Sequence, residues 1–169
     1  MRSPVRFAVL FALGFAALLA AFEAVRTTPI ETWLIEDLVL VPSVLLINTV
    51  APQEHVRTHD RALESPYARL RVVRGCEGIE TMLLLVAAVF AYPATLRRRG
   101  RGLLIGVALA WALSVARLVF LYGTLRVSPD LFAVTHGLIA PLAPLALIGL
   151  YFLAWSAPAP PTQRAERVA

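Results

Sequence analysis

Arg97 to Tyr122 reads RRRGRGLLIGVALAWALSVARLVFLY. After the arginine run, Gly102 to Tyr122 carries a single charge, Arg117. About twenty apolar residues, rising about 1.5 Å each, cross a hydrocarbon core of about 30 Å. Gly102 to Tyr122 is therefore predicted to be a membrane span, and RRRGR before it a loop anchored on the cytoplasmic side. Three other runs qualify: Phe7 to Val25, Cys76 to Leu96 and Leu131 to Trp155. With 59% hydrophobic residues and a mean hydropathy of +0.72 over 169 residues, the chain belongs to the membrane class and not the soluble one.

The fold class expected is all-α, a polytopic membrane helix bundle with about four spanning helices. A further segment, Trp33 to Val50, is interrupted by Glu36, Asp37, Pro42 and Asn48 and reads as interfacial or re-entrant. No repeat divides the chain, so residues 1–156 form one membrane-integral domain. Residues 157–169, proline-rich and polar, read as a disordered cytoplasmic tail. Four spans place Arg2, Arg6, the RRRGR run, Arg164 and Arg167 on one side, as the positive-inside rule requires. The long outer segment holds arginines 26, 57, 61, 69, 71 and 74, accompanied by acids 23, 31, 36, 37, 54, 60 and 64. The opening MRSPVR and its apolar run also suit a signal peptide. No A-x-A site follows, so the run is read as a retained span.

The net charge of +5 comes from arginine alone and serves topology; no nucleic-acid partner is expected. A single cysteine excludes an internal disulfide. Cys76 opens the second span at its outer end, where a helix N-terminus favours the thiolate, although the adjacent Glu77 opposes a second negative charge. Lone cysteines are more often small buried hydrophobes, and acids such as Glu80 commonly stabilise a first helical turn. Arg117 is an intramembrane charge that needs a partner or a route to the interface. His136 either bonds a neighbouring helix or moves protons. In this topology Arg117 and His136 both lie about 7 Å below the outer surface, near the level of Cys76. His55 and His59 have the i, i+4 spacing of metal ligands but no visible third ligand, so neither metal nor cofactor is expected. Thiolate, proton donor and fixed positive charge are together the equipment for acyl transfer.

GCEGIE ahead of an apolar helix, SVARLVFL on a second and VTHG opening a third resemble the exosortase/archaeosortase family of membrane transpeptidases, in its short exosortase H subgroup. The resemblance covers roughly Thr32 to Trp155. It implies an enzyme of the bacterial inner membrane, with its site facing the periplasm. The implied partners are exported proteins ending in a short motif, a transmembrane helix and a basic tail, with membrane lipid around them. By similarity Cys76 would form a thioester with the substrate, His136 would act as general acid and base, and Arg117 would stabilise the oxyanion. Glu77, Gly78 and Glu80 would be supporting positions. So would Ser114, which stands where the family often has an asparagine three residues before its arginine. Two rivals predict otherwise: a non-catalytic scaffold subunit, and an intramembrane hydrolase that releases the thioester to water.

Overall fold

The computed structural model describes residues 4–26, 28–73, 75 and 77–157. Thr95 precedes the arginine run and acts as a helix cap, its Oγ1 accepting from the Arg98 amide at 3.4 Å. The RRRGR run is therefore the first turn and a half of a helix and not a loop. Proceeding along the chain, α1 is Pro4–Val25. The run α2 joins Pro29–Thr32, a π-helical Trp33–Leu40 and Val41–Val50. Strands β1 (Arg57–His59), β2 (Ala62–Glu64) and β3 (Arg69–Arg71) follow, then α3 (Ile79–Ala91) and α4 (Leu96–Val127). The last run, α5, spans Pro129–Ser156 with a π-helical turn at Thr135–Ile139.

Three of these helices, α1, α4 and α5, are long and apolar enough to cross a membrane. The chain is thus a helical membrane protein, and large apolar side chains on all three face outward, as contact with lipid requires. The expected second span is shorter than Cys76 to Leu96. Its helix is confined to 13 residues, about 20 Å. Pro93 pushes Tyr92 into an extended conformation at one end (ψ 134°), and a glycine-flanked turn stops it at the other. At 32 residues, α4 is about 48 Å long and overshoots a core of about 30 Å by about 18 Å.

That overshoot divides the molecule into two layers. In one, Leu85, Val89, Ala110 and Ile148 join α3, α4 and α5. Gly106 makes room there, since a Cβ on it would meet Leu85 Cδ2 at 2.6 Å and Tyr151 Cε1 at 2.7 Å, and small residues of this kind bring membrane helices close. At the end of this layer the arginine run satisfies helix C-termini. Arg98 donates to the Trp155 carbonyl of α5 and to that of Ala157 just beyond it, and Arg99 donates to the Tyr92 carbonyl that ends α3 at 3.0 Å. In the second layer, Ile35, Val39 and Ile47 of α2 pack with Leu63, Leu70 and the last turns of α4 at Leu118, Leu121 and Tyr122.

The segment from Trp33 does not double back. It is part of one helical run packed on α4. Pro42 removes the amide that would bond Leu38 in an α-helix, and Trp111 Nε1 donates to that carbonyl instead, at 2.6 Å. The polar stretch after it holds a three-stranded antiparallel sheet in the order β1-β2-β3, which hydropathy alone did not suggest. Its acids pair with the arginines. Arg61 binds Glu31 at 2.8 Å, Arg69 binds Glu64 at 2.7 Å, and Arg126 binds Glu54 at 3.0 Å.

Glu54 also accepts from the Tyr122 hydroxyl at 2.6 Å, and Ser65 Oγ lies 2.8 Å from the same phenol oxygen. The Tyr122 bond first, and Arg126 beside it, hold the Glu54 carboxyl below its ordinary value of 4.5 despite burial. A carboxyl depressed in the folded state adds stability above its unfolded value and loses it as pH falls through the folded one. Stability to thermal unfolding in detergent is expected to fall as pH drops below 4.5. Glu54→Gln should flatten that part of the curve, and an unchanged slope would remove Glu54 from the account.

Candidate functional site

Gly75 and Gly78 both sit at φ +80°, a conformation glycine adopts without cost. Gly75 lies in a turn, and Gly78 leads directly into α3. Cys76 itself lies outside the described residues, but its surroundings are described on both sides. The Gly75 carbonyl accepts from Arg117 Nη2 at 3.2 Å. Gly78 lies so close to α4 that a Cβ on it would overlap Ser114 Oγ and come within 3.1 Å of Ser114 Cβ. The turn is thus held from α4 at two points three residues apart, nearly one helical turn.

Ser114 is buried, and its hydroxyl donates to the Ala110 carbonyl of its own helix at 2.9 Å. Its proton is committed there, so it supports the turn by being small, and not as a donor beside Arg117. Glu77 is 7% exposed. It lies within the field of Arg61, whose guanidinium is pushed above its ordinary value first by the bond to Glu31, against burial, with Glu36 and Glu77 adding attraction. A buried acid facing a cation does more than complement a helix dipole. Glu80 is exposed in the first turn of α3, where an acid favours the helix.

Arg117 is half-buried, and its Nε is buried with no hydrogen-bond partner among the described residues. The side chain borders a lateral groove with Ala116, Ala140, Ala143 and Pro144. His136 lies on the π-helical turn of α5, ahead of Pro141 and Pro144, neither of which has an amide to donate. Its ring stacks on Phe132 at 5.3 Å and 12°, and it lines a separate cleft of about 290 Å³ with Val73, Leu118 and Leu121.

Arg117 and His136 stand at different distances from the ends of their helices. Ten residues of α4 continue beyond Arg117, about 15 Å, whereas His136 is seven residues into α5, about 10 Å. Both helices run further out than the hydropathy limits. The two side chains border two different cavities: Val73 lines the one beside His136, and the Gly75 carbonyl is bonded by Arg117 of the other. His55 ends a 3-10 turn and His59 ends β1, both exposed. Their spacing is therefore not helical. Among the described residues no group of three or more acid, histidine or cysteine side chains could hold a metal ion.

Gly75, Phe132 and Arg61 were not singled out in the sequence. The pair of glycines flanking Cys76 and the i, i+4 spacing of Phe132 and His136 were signals available for the first two. Nothing local linked Arg61 to Glu77. No protein-family model, no curated protein and no solved structure matches the chain.

Proposed function

We propose that the protein is a cysteine transpeptidase of the exosortase kind. It would cleave C-terminal sorting signals of exported proteins at the outer face of a bacterial inner membrane and pass the product to a surface acceptor. The observation that carries this reading is Arg117. One guanidinium nitrogen holds the carbonyl next to Cys76, while a second, Nε, is buried without an acceptor among the described residues. A buried Nε without a partner among the described residues also occurs on Arg99, which caps α3, so what sets Arg117 apart is its place inside the bundle beside position 76. Here one donor is left for an oxygen that arrives with substrate.

In this mechanism the Cys76 thiolate adds to the scissile carbonyl, and the carbonyl π electrons move to oxygen, where Arg117 meets the oxyanion. Collapse breaks the C–N bond, and the leaving amine takes a proton from His136. An acceptor nucleophile then gives its proton to His136 and attacks the thioester, which restores the thiolate. Hydrolysis differs only in using water in this second half. Pairing of the outer arginines with acids supports an orientation with both termini cytoplasmic, because the unpaired excess then lies at the arginine run. An impermeant thiol reagent applied to spheroplasts should label Cys76, and labelling only after lysis would reverse the orientation.

The role of His136 has its own test. His136→Ala is expected to slow processing about 10²-fold or more, the usual scale for acid and base catalysis. His55→Ala and His59→Ala should stay near wild type. Rates are compared at matched membrane abundance. If His136→Ala keeps full activity while a loop histidine variant loses it, the chemistry lies in the loop.

A further inference from the structure

We infer that the free edge of β3 is a docking strand for the substrate polypeptide, which pairs with it in extended form on its way to the glycine-flanked turn. The inference rests on the transpeptidase reading for the identity of the occupant. Its geometry comes from the sheet.

The Val72 amide donates to Arg61 and the Ser65 amide to Ala68, both at 2.9 Å. In an antiparallel pair, residues bonded to the partner alternate with residues whose amide and carbonyl point away. Positions 68, 70 and 72 therefore bond β2, and the backbone groups of Arg69 and Arg71 point off the sheet. Because β3 is the last strand in the order, those groups have no strand to pair with among the described residues. Edges of this kind are normally covered or guarded by charge. Here both arginines reach back over β2, Arg69 to Glu64 at 2.7 Å and Arg71 to Asp60 at 3.5 Å, and leave the edge itself open.

The cleft beside His136 lies along that edge. It touches all five successive residues from Arg69 to Val73, although side chains on a strand alternate between two faces. A cavity bordered by both sets runs along the strand's side, where the backbone groups are. Its other wall is apolar, formed by Leu118, Leu121, Leu125 and Phe132. An extended peptide would bond Arg69 and Arg71 through its backbone and turn alternate side chains to that wall, the mode known as strand addition. Two residues beyond β3 the chain reaches Val73 and then Gly75, held by Arg117. The occupant is accordingly the segment of the substrate just outside its membrane helix, with small or apolar alternate residues.

The probe is a fluorescein-labelled hexapeptide amide of alternating alanine and valine, titrated by anisotropy with the full chain in nanodiscs. Proline is tolerated on an edge where the lost amide faced outward, so Arg71→Pro removes one docking donor and spares β2. Arg71→Ala removes the side chain alone. Arg71→Pro is expected to weaken binding about tenfold or more, and Arg71→Ala less than about threefold. The fully N-methylated probe, which leaves the protein untouched, should lose binding altogether. No saturable binding, equal binding by the two Arg71 variants, or undiminished binding of the methylated probe would each overturn the inference. The titration is repeated with Cys76→Ala, which should bind as wild type does. Saturable, proline-sensitive binding without processing of any exported protein would sink the enzyme reading and leave the docking strand standing. Processing indifferent to Arg71→Pro would do the reverse.

Discussion

Cys76→Ala is expected to abolish processing of an exported protein that ends in a motif, a membrane helix and a basic tail, while the variant accumulates in the membrane at the wild-type level. Cys76 is the only thiol in the chain, so no neighbour can substitute for it. The anchors of the turn among the described residues are the Gly75 carbonyl on Arg117 and the Gly78 backbone on Ser114. Loss of activity with normal abundance would therefore report chemistry and not folding. Cys76→Ser should fail too, since a hydroxyl is far harder to ionise, whereas the scaffold reading leaves the serine variant functional. The measurement is the mobility shift of the substrate in whole membranes, with a hydroxylamine-labile adduct sought on slow substrates. Full processing by the alanine variant would end the mechanism. Arg117→Lys keeps the charge but loses the planar fork that holds Gly75 with one nitrogen and leaves another free. Losing one oxyanion donor commonly lowers turnover about 10²- to 10³-fold, and a loss on that scale is expected here.

Gly78→Ala should have the largest effect on stability of any glycine-to-alanine change among the described glycines, since an added Cβ makes its closest approach there. The position is at φ +80°, which costs a residue with a Cβ about 1–2 kcal/mol. The added atom would also overlap Ser114 Oγ, and overpacking of this kind costs about 1–3 kcal/mol more. Together these approach the lower end of the roughly 5–15 kcal/mol that holds a typical domain folded. Ser114→Gly removes the obstructing side chain without changing the φ requirement. The double variant should therefore recover the packing part, about 1–3 kcal/mol relative to additivity, and remain less stable than wild type. Thermal unfolding of the four proteins in one detergent decides the matter. If Gly78→Ala unfolds with wild type, the close approach of the turn to α4 is wrong.

The unequal success of the sequence reading has physical causes. Gly102 to Tyr122 and Leu131 to Trp155 were legible because residence in a bilayer is set by the length of an apolar run, which is a local property. Both helices extend beyond those limits, since burial against α2 and the sheet stabilises turns that hydropathy alone would leave in solvent. The arginine run was legible as charge but not as helix, because Thr95 caps the backbone without altering the hydropathy profile. The second span was overestimated because Pro93 and Gly78 interrupt the helix while leaving the composition apolar. Ser114 entered only as a supporting position by resemblance, and its contacts were not legible, since its proton goes to Ala110 and its small size serves Gly78.

By itself the sequence determined that this is a helical membrane protein, with a lone thiol at the edge of an apolar run and an arginine and a histidine in two later ones. Apolar length, charge and chain order suffice for that, because each acts over a turn or two of backbone. Only the tertiary structure decided that the segment from Trp33 is an unbroken helical run against the outer part of α4, and that β3 has an open edge along a cleft. It alone brought the Gly75 carbonyl to Arg117, 42 positions away. Contacts across such separations depend on how whole helices pack and overshoot one another, and no window of sequence carries that information.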